Sequence, residues 1–224
     1  MRLATFSIVA RCRKTGDFGV ASATAAPCVG ALLPFAQEGV GAIATQAWVN
    51  VNLGFVGLEL MREGLPVSLA LDALLKEDPG RARRQVIGID AKSVFGHTGD
   101  ECTEAKGHIL GDDFAVAGNV LSDKRVLEVM AETFRKSKGE ISSRLLSVVE
   151  AGQAAGGDLR GKMSAALLVA SSKPKVFHDI RVDMHDNPVA ELRRIFDECT
   201  RLQAGYGDDD EGGEQRFRVP RVRR

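Results

Sequence analysis

Aromatic residues are scarce, 5% of 224 positions, with one Trp and one Tyr. Ala, Val, Leu and Ile must therefore fill the core, and a 44% hydrophobic fraction is ordinary for a globular chain that buries a sizeable one. Net charge is absent too: 30 basic side chains oppose 30 acidic ones, which removes a global electrostatic case for nucleic acid or an anionic membrane as partner. No apolar run reaches membrane-span length, and the first residues lack the apolar centre of a secretory signal. The four cysteines, Cys12, Cys28, Cys102 and Cys199, form no C-x-x-C pair. They read as reduced, mostly buried thiols of a cytoplasmic protein. No composition break marks a linker, so one domain over 1–204 is expected. The stretch 205–224 is an acidic, glycine-rich run followed by five arginines, and reads as a disordered charged tail. Its basic end carries only Phe217 as an aromatic, too little for a single-strand binding surface.

What is present begins almost at the amino terminus. Thr5-Phe6-Ser7-Ile8-Val9-Ala10 alternates as a buried strand does, and Gly19-Val20-Ala21-Ser22-Ala23-Thr24 reads as its hairpin partner across Lys14-Thr15-Gly16-Asp17. The prolines of 27–36 predict a short strand and a bend rather than a helix. The small residues of 39–46 predict a third strand that another backbone or a ligand could approach closely. Trp48 with Gln46, Asn50 and Asn52 reads either as a polar loop around one indole or as a pocket wall bearing carboxamides. Helices follow at about 54–62 and from Pro66, then a hairpin over 84–98 and short strands at 107–110 and 114–117. Ser122 is placed to cap a helix to about Lys136, and another runs from about Ile141 to Gly156-Gly157. A strand over 164–171 and a helix opened by Asn187-Pro188 complete the order. Strands and helix pairs come in runs without strict alternation, which predicts an α+β fold with helix pairs outside an antiparallel core.

Several chemistries are excluded. Gly156-x4-Gly161-Lys162 has phosphate-loop spacing, but Met163 stands where Ser or Thr should hold magnesium, and the order is helix to strand rather than strand to helix. His97 with Cys102, and His178 with Asp179, Asp183 and His185, lack the spacings of zinc sites, so no metal or other cofactor is expected. A G-x-S-x-G elbow is absent. The remaining candidate is Thr5. In a chain beginning there, the hydroxyl would attack a carbonyl while the residue's own α-amine, with a pKa of about 7.7–8.0, took the proton. The mechanism needs oxyanion donors, such as a backbone amide or the Asn119 carboxamide. It also needs groups to orient amine and substrate, which Asp158, Arg160 and Ser164 could supply.

Four ordered blocks carry a resemblance. They are 5–10, the strand Gly39-Val40-Gly41-Ala42-Ile43-Ala44-Thr45-Gln46-Ala47, the pair Gly118-Asn119, and Glu150-Ala151-Gly152-Gln153-Ala154-Ala155-Gly156-Gly157-Asp158-x-Arg160-Gly161. Together with Pro188-Val189-Ala190-Glu191-Leu192 they resemble the family catalogued as domain of unknown function 1028, over about 5–196. That family resembles in turn the amino-terminal-nucleophile (Ntn) hydrolases. The resemblance implies a four-layer αββα sandwich and an amide hydrolase acting on a small amide or peptide-like substrate. Thr5 would be the nucleophile, Asn119 would stabilise the oxyanion, and Asp158 and Arg160 would orient the amine or bind a substrate carboxylate. Gln46, Asn52, His97 and Ser164 would line the pocket. Related sequences place the threonine directly after the initiator methionine; here Met1-Arg2-Leu3-Ala4 precedes it, so Thr5 would need cleavage after Ala4. Superfamily relatives often assemble, which points to a homodimer. The rival expectation is a non-catalytic binding or assembly module on the same fold, since fold does not fix function.

Overall fold

The computed structural model describes residues 2–3 and 5–205. In chain order the elements are β1 (Arg2–Leu3), β2 (Thr5–Arg11), β3 (Phe18–Thr24), the one-turn helix α1 (Val29–Leu32), β4 (Pro34–Gln37), β5 (Gly41–Trp48), α2 (Asn52–Arg62), α3 (Val67–Glu77), β6 (Arg84–Asp90), β7 (Val94–Thr98), β8 (Gly107–Leu110), β9 (Phe114–Gly118), α4 (Arg125–Lys136), α5 (Ile141–Ala154), β10 (Ser164–Ala170), β11 (Asp179–Val182) and α6 (Pro188–Gly205). Apart from Gly205, which closes α6, the charged tail lies outside the described residues.

The strands form two antiparallel sheets. One runs β1-β5-β6-β7, with β4 also paired to β5; the other runs β11-β10-β3-β2-β9-β8. The pleat of β2 shows how they stack. Phe6, Ile8 and Ala10 point one way, into a core shared with Met130 of α4, Leu145 and Val149 of α5 and Leu192 of α6. Val9 points the other way, among Val20, Ala42, Ala44, Ile87, Ile89, Ala115 and Ala117, where the two sheets meet. A strand alternates faces at every residue, so Thr5 and Ser7 share the inter-sheet face with Val9. The outer face of the first sheet carries Ile43 and Val86, which pack on Leu53 and Leu58 of α2 and Leu71 and Leu75 of α3. Mixed α and β structure with two antiparallel sheets and six helices is thus observed among the described residues. Few aromatics are needed because alanines between the sheets let them approach closely. At Gly88 a Cβ would lie 2.6 Å from Val67 and 2.8 Å from Leu71, so α3 can sit on β6 only because that residue is glycine.

Three local expectations change. The stretch expected as strand and bend rather than helix has its short strand, β4, but before it holds the helix α1, entered through Cys28 at φ 58° in the left-handed region. The hydroxyl of Ser164, from β10, accepts the Val29 N–H at 3.1 Å, a tertiary contact that starts the helix and that no local pattern displays. Ser122 does not cap α4: its N–H goes to Gly157 O at 3.0 Å, and Asp123 Oδ1 takes the Arg125 N–H at 2.7 Å. Strands β1 and β11 were not expected; each is too short to show a period.

Phe6 is fully buried at the seam of β2, α4 and α5, whereas Leu69 on α3 is 60% exposed. Phe6→Ala should lower unfolding free energy by about 3–5 kcal/mol, and Leu69→Ala by less than about 0.5 kcal/mol. Urea titration of both variants checks the difference.

Candidate functional site

Near Thr5 the space between the sheets changes character. Val9 and its neighbours are apolar, but toward the other end the inward positions are Thr5 and Ser7 on β2, Ser22 and Thr24 on β3, Ser164 on β10, Gln46 on β5, Gln85 on β6, and Asn119 just after β9. None is more than 1% exposed, and none is ionisable. Buried polar groups of this kind must be bonded or they cost stability.

Gln85 is the hub. Its Nε2 faces Gly118 O at 2.9 Å, Gly107 O at 3.0 Å and Thr98 Oγ1 at 3.0 Å. Two of these are carbonyls, which can only accept, and that fixes which end of the amide is nitrogen. Its Oε1 accepts from Gln46 Nε2 at 2.7 Å and Asn119 Nδ2 at 2.9 Å. Ser7 donates to Gln46 Oε1 at 2.6 Å, and Gln46 Nε2 also approaches Thr5 O at 3.4 Å. The Asn119 N–H donates to Thr5 O at 3.1 Å. Thr98 Oγ1 continues outward to His108 Nδ1 at 2.9 Å, where burial, with His97 adding a smaller push, lowers the imidazole pKa and favours its neutral form.

Thr5 itself is fully buried, and its Oγ1 has no hydrogen-bond partner. Its strand neighbour in register is Thr24. The residues after two of the site's amides are strained: Ala47, after Gln46, has φ 65°, and Val120, after Asn119, has φ 52°. Left-handed backbone is a genuine outlier for a β-branched residue such as Val120. It is held there by Val120 N–H to Thr103 O at 3.2 Å and Leu159 N–H to Val120 O at 2.9 Å. Strain of this kind concentrates at functional sites.

Asp158 lies on the rim. Helix α5 ends at Gly156 (φ 117°) and Gly157 (φ 58°), which turn the chain back. The Asp158 carboxylate then accepts from Ala25 N at 3.0 Å, and from Arg160 N at 2.9 Å, Nε at 3.1 Å and Nη2 at 2.7 Å. It thereby ties the end of α5 to the residue after Thr24. Ser164 serves the backbone, donating to Ala26 O at 2.6 Å and accepting from Val29 N. Thr5, Gln46, Asn119, Asp158, Arg160 and Ser164 therefore gather at one end of the strands. Asn52 and His97 do not join them. Asn52 is exposed at the first position of α2. His97 pairs with Val86, so it faces opposite to Gln85 and Thr98, and its Nε2 meets Arg81 O at 3.1 Å. Gln85, Thr98, His108 and Ser22 were missed by sequence reasoning. A signal was present for Gln85, a polar residue at an inward position of an otherwise apolar strand.

The Trp48–Asn52 stretch is held from outside. Arg84 donates to Trp48 O at 2.7 Å and to both oxygens of Asp78, at 2.8 and 3.1 Å, and Asn50 Nδ2 reaches Asp78 at 2.7 Å. An open surface concavity of about 440 Å³, lined by Arg11, Arg13, Lys92 and Asp112 among others, lies at the far end of β2. Six residues of strand, roughly 20 Å, separate Arg11 from Thr5, so that concavity belongs to a different part of the molecule.

Two predictions follow from these bonds. Gln85→Leu would strip a buried partner from Gln46 Nε2, Asn119 Nδ2 and Gly118 O, so it should cost about 2–4 kcal/mol in urea unfolding. The Arg84 guanidinium holds the Asp78 carboxyl down at about 2. That lies below its unfolded value, so the contribution, on the order of 2 kcal/mol, is complete above about pH 5 and is lost as pH falls through about 2. Asp78→Asn should therefore be less stable than the parent at pH 7 and converge with it near pH 2.

Comparison with known proteins gives one family. Residues 5–192 match the family of unknown function DUF1028. The crystal structure of protein SPO2555 from Silicibacter pomeroyi, described as a DUF1028 protein, is 33% identical over 88% of this chain and 89% of that one, with a TM-score of 0.81. No curated protein matches.

Proposed function

The chain belongs to the DUF1028 family, and from that premise we propose that it is an amide hydrolase of the amino-terminal-nucleophile type with Thr5 as nucleophile. The observation that carries this reading is the Thr5 hydroxyl, fully buried and without a partner at the head of a central strand. Buried hydroxyls are normally bonded, and one held unbonded among fixed amides is poised to act on something else. The family match starts at this same residue. Two face-to-face sheets with helices on the outer faces agree with a four-layer αββα sandwich of the Ntn type.

The nucleophile is released by cleavage after Ala4. Arg2 and Leu3 form β1, paired to Trp48 and Ala47 of β5. Two paired residues are too few to hold a severed strand in place, so cleavage uncovers the Thr5 end. The Thr5 hydroxyl then attacks the substrate carbonyl while the new α-amine takes its proton. Asn119 has two Nδ2 hydrogens, and one goes to Gln85; the other is the donor for the oxyanion. The ammonium returns the proton to the leaving amine, giving an ester on Thr5. The amine next deprotonates water, whose attack releases the carboxylate product and restores Thr5. Asp158 and Arg160 are positioning residues, holding the rim beside Ala25.

The second reading, a binding or assembly module, is favoured by one observation: the side chains of Gln46, Gln85, Asn119 and Asp158 already bond within the protein. The chain's own mass separates the two readings. Intact mass of untagged protein should show a chain starting at Thr5. Such protein should hydrolyse members of a panel of small amides, and Thr5→Ala should reduce the rate by at least about 10³-fold with Thr5→Ser retaining part of it. A chain that keeps Arg2–Ala4 in full amount, or hydrolysis indifferent to Thr5→Ala, overturns the proposal in favour of the module.

A further inference from the structure

Four buried polar side-chain atoms have no hydrogen-bond partner among the described residues: Thr5 Oγ1, Ser22 Oγ, Ser142 Oγ and Asp183 Oδ1. Two of them, Thr5 and Ser22, lie on the inter-sheet face of adjacent strands. Ser22 stands directly opposite Ser7 in the β2–β3 register, just as Thr24 stands opposite Thr5. Both Ser7 and Ser22 are fully buried. Side chains two apart on a strand are separated by roughly 7 Å, so the Ser7–Ser22 pair sits one pleat repeat inward from the Thr5 hydroxyl.

The bonding of this pair specifies what it can recognise. Ser7 has committed its only proton to Gln46 Oε1 at 2.6 Å, so toward a ligand it can only accept. Ser22 has committed neither its proton nor its lone pairs. A group that uses the Ser22 proton together with the Ser7 lone pair offers a donor to Ser7 Oγ and an acceptor oxygen to the Ser22 hydroxyl, and a primary carboxamide carries both, as N–H and C=O. The surroundings are also uncharged: the eight inward residues at this end include no titratable side chain. In the uncleaved chain the titratable groups that border this cluster are His108, reached through Gln85 and Thr98, and Asp158 on the rim, already bonded by Arg160; the Thr5 α-amine that cleavage would free acts as a base in its neutral form. A carboxylate would lack the N–H and lose its hydration without a cation to replace it. An ammonium would lack the acceptor oxygen and a counter-ion.

We propose that Ser7 and Ser22 form a recognition subsite for a neutral primary carboxamide on the substrate, roughly 7 Å from the carbonyl that Thr5 attacks. The subsite rests on the reading of Thr5 as nucleophile for its role in selecting substrate, but binding at Ser22 does not depend on it. The substrate class is thus a small amide carrying a second, non-reacting carboxamide.

The test is a binding measurement. Protein with methyl-labelled Thr and Ala is titrated separately with propionamide, propionate and propylammonium, in each chain form that intact mass identifies. Propionamide should shift the Thr5 and Ala117 methyl signals saturably. Ser22→Ala, which removes only a hydroxyl, should weaken that binding at least 10-fold while urea unfolding confirms that the variant folds. Propionate and propylammonium should not saturate these signals. Failure of propionamide to bind any form present, equal binding to Ser22→Ala, or equal binding of either ion overturns the subsite. Hydrolysis that ignores Thr5→Ala, with propionamide still bound through Ser22, would remove the catalytic reading and leave the subsite standing.

Discussion

The amide of Gln85 is the interaction on which this end of the molecule depends. Its oxygen takes protons from Gln46, on its own sheet, and from Asn119, which leaves the last residue of β9 on the other sheet. Its nitrogen reaches the backbone of Gly107 and Gly118. The rest of the inter-sheet space is filled mainly by alanines and β-branched residues, with Phe18 and Leu33 among them, which set a separation but no unique registration. A fully bonded polar cluster has one arrangement, and leaving any member unpaired in a low-dielectric interior is costly. The cluster therefore fixes how the two sheets meet beside Thr5, and it places the Asn119 N–H on the Thr5 carbonyl.

Satisfaction and frustration are segregated within that cluster. Carboxamides and the Asp158 carboxylate are bonded, while the hydroxyls of Thr5 and Ser22 are not. Left-handed backbone at Ala47 and Val120 directly follows Gln46 and Asn119. The surrounding bonds over-determine these conformations, since Val120 is pinned through both its N–H and its carbonyl. A rigid amide frame around two unspent hydroxyls is an arrangement suited to a ligand, whether the end use is catalysis or binding. The basic concavity around Arg11 is a contrast. Arg11 donates to Asp113, to Asp90 O and to Asp112 O, so its guanidinium is committed to joining strand ends.

Much of the fold was legible because strand and helix periods are local. The alternation of 5–10 and 19–24, the hairpin of 84–98 and the apolar faces of α2 to α6 were all read within a residue or three of their bounds. The misreadings have different causes. Helix α1 starts on a hydroxyl from β10, a long-range contact that outcompetes local propensity. At α4 a local competitor wins: Asp123, not Ser122, takes the Arg125 N–H. The site was partly legible: Thr5, Gln46, Asn119, Asp158, Arg160 and Ser164 gather as a group, while Asn52 and His97 fall outside it. His97 shows why, since one residue along β7 separates it from Thr98, and that single step reverses the face.

Sequence alone determined the pleat of β2, and with it the fact that Thr5, Ser7 and Val9 share one face against Phe6, Ile8 and Ala10. It determined the glycine turn that presents Asp158, and the absence of phosphate-loop and nucleophile-elbow patterns. Only the tertiary structure decided which polar groups meet. Ser7 and Gln46 are 39 residues apart, and Gln85 and Asn119 are 34 apart. Their contact is set by strand register and the stacking of two sheets, which depend on the whole core rather than on any window of sequence. The same holds for the hydroxyls left over. Whether Thr5 and Ser22 are bonded is decided by what packs against them from the other sheet, and residue spacing carries no record of it.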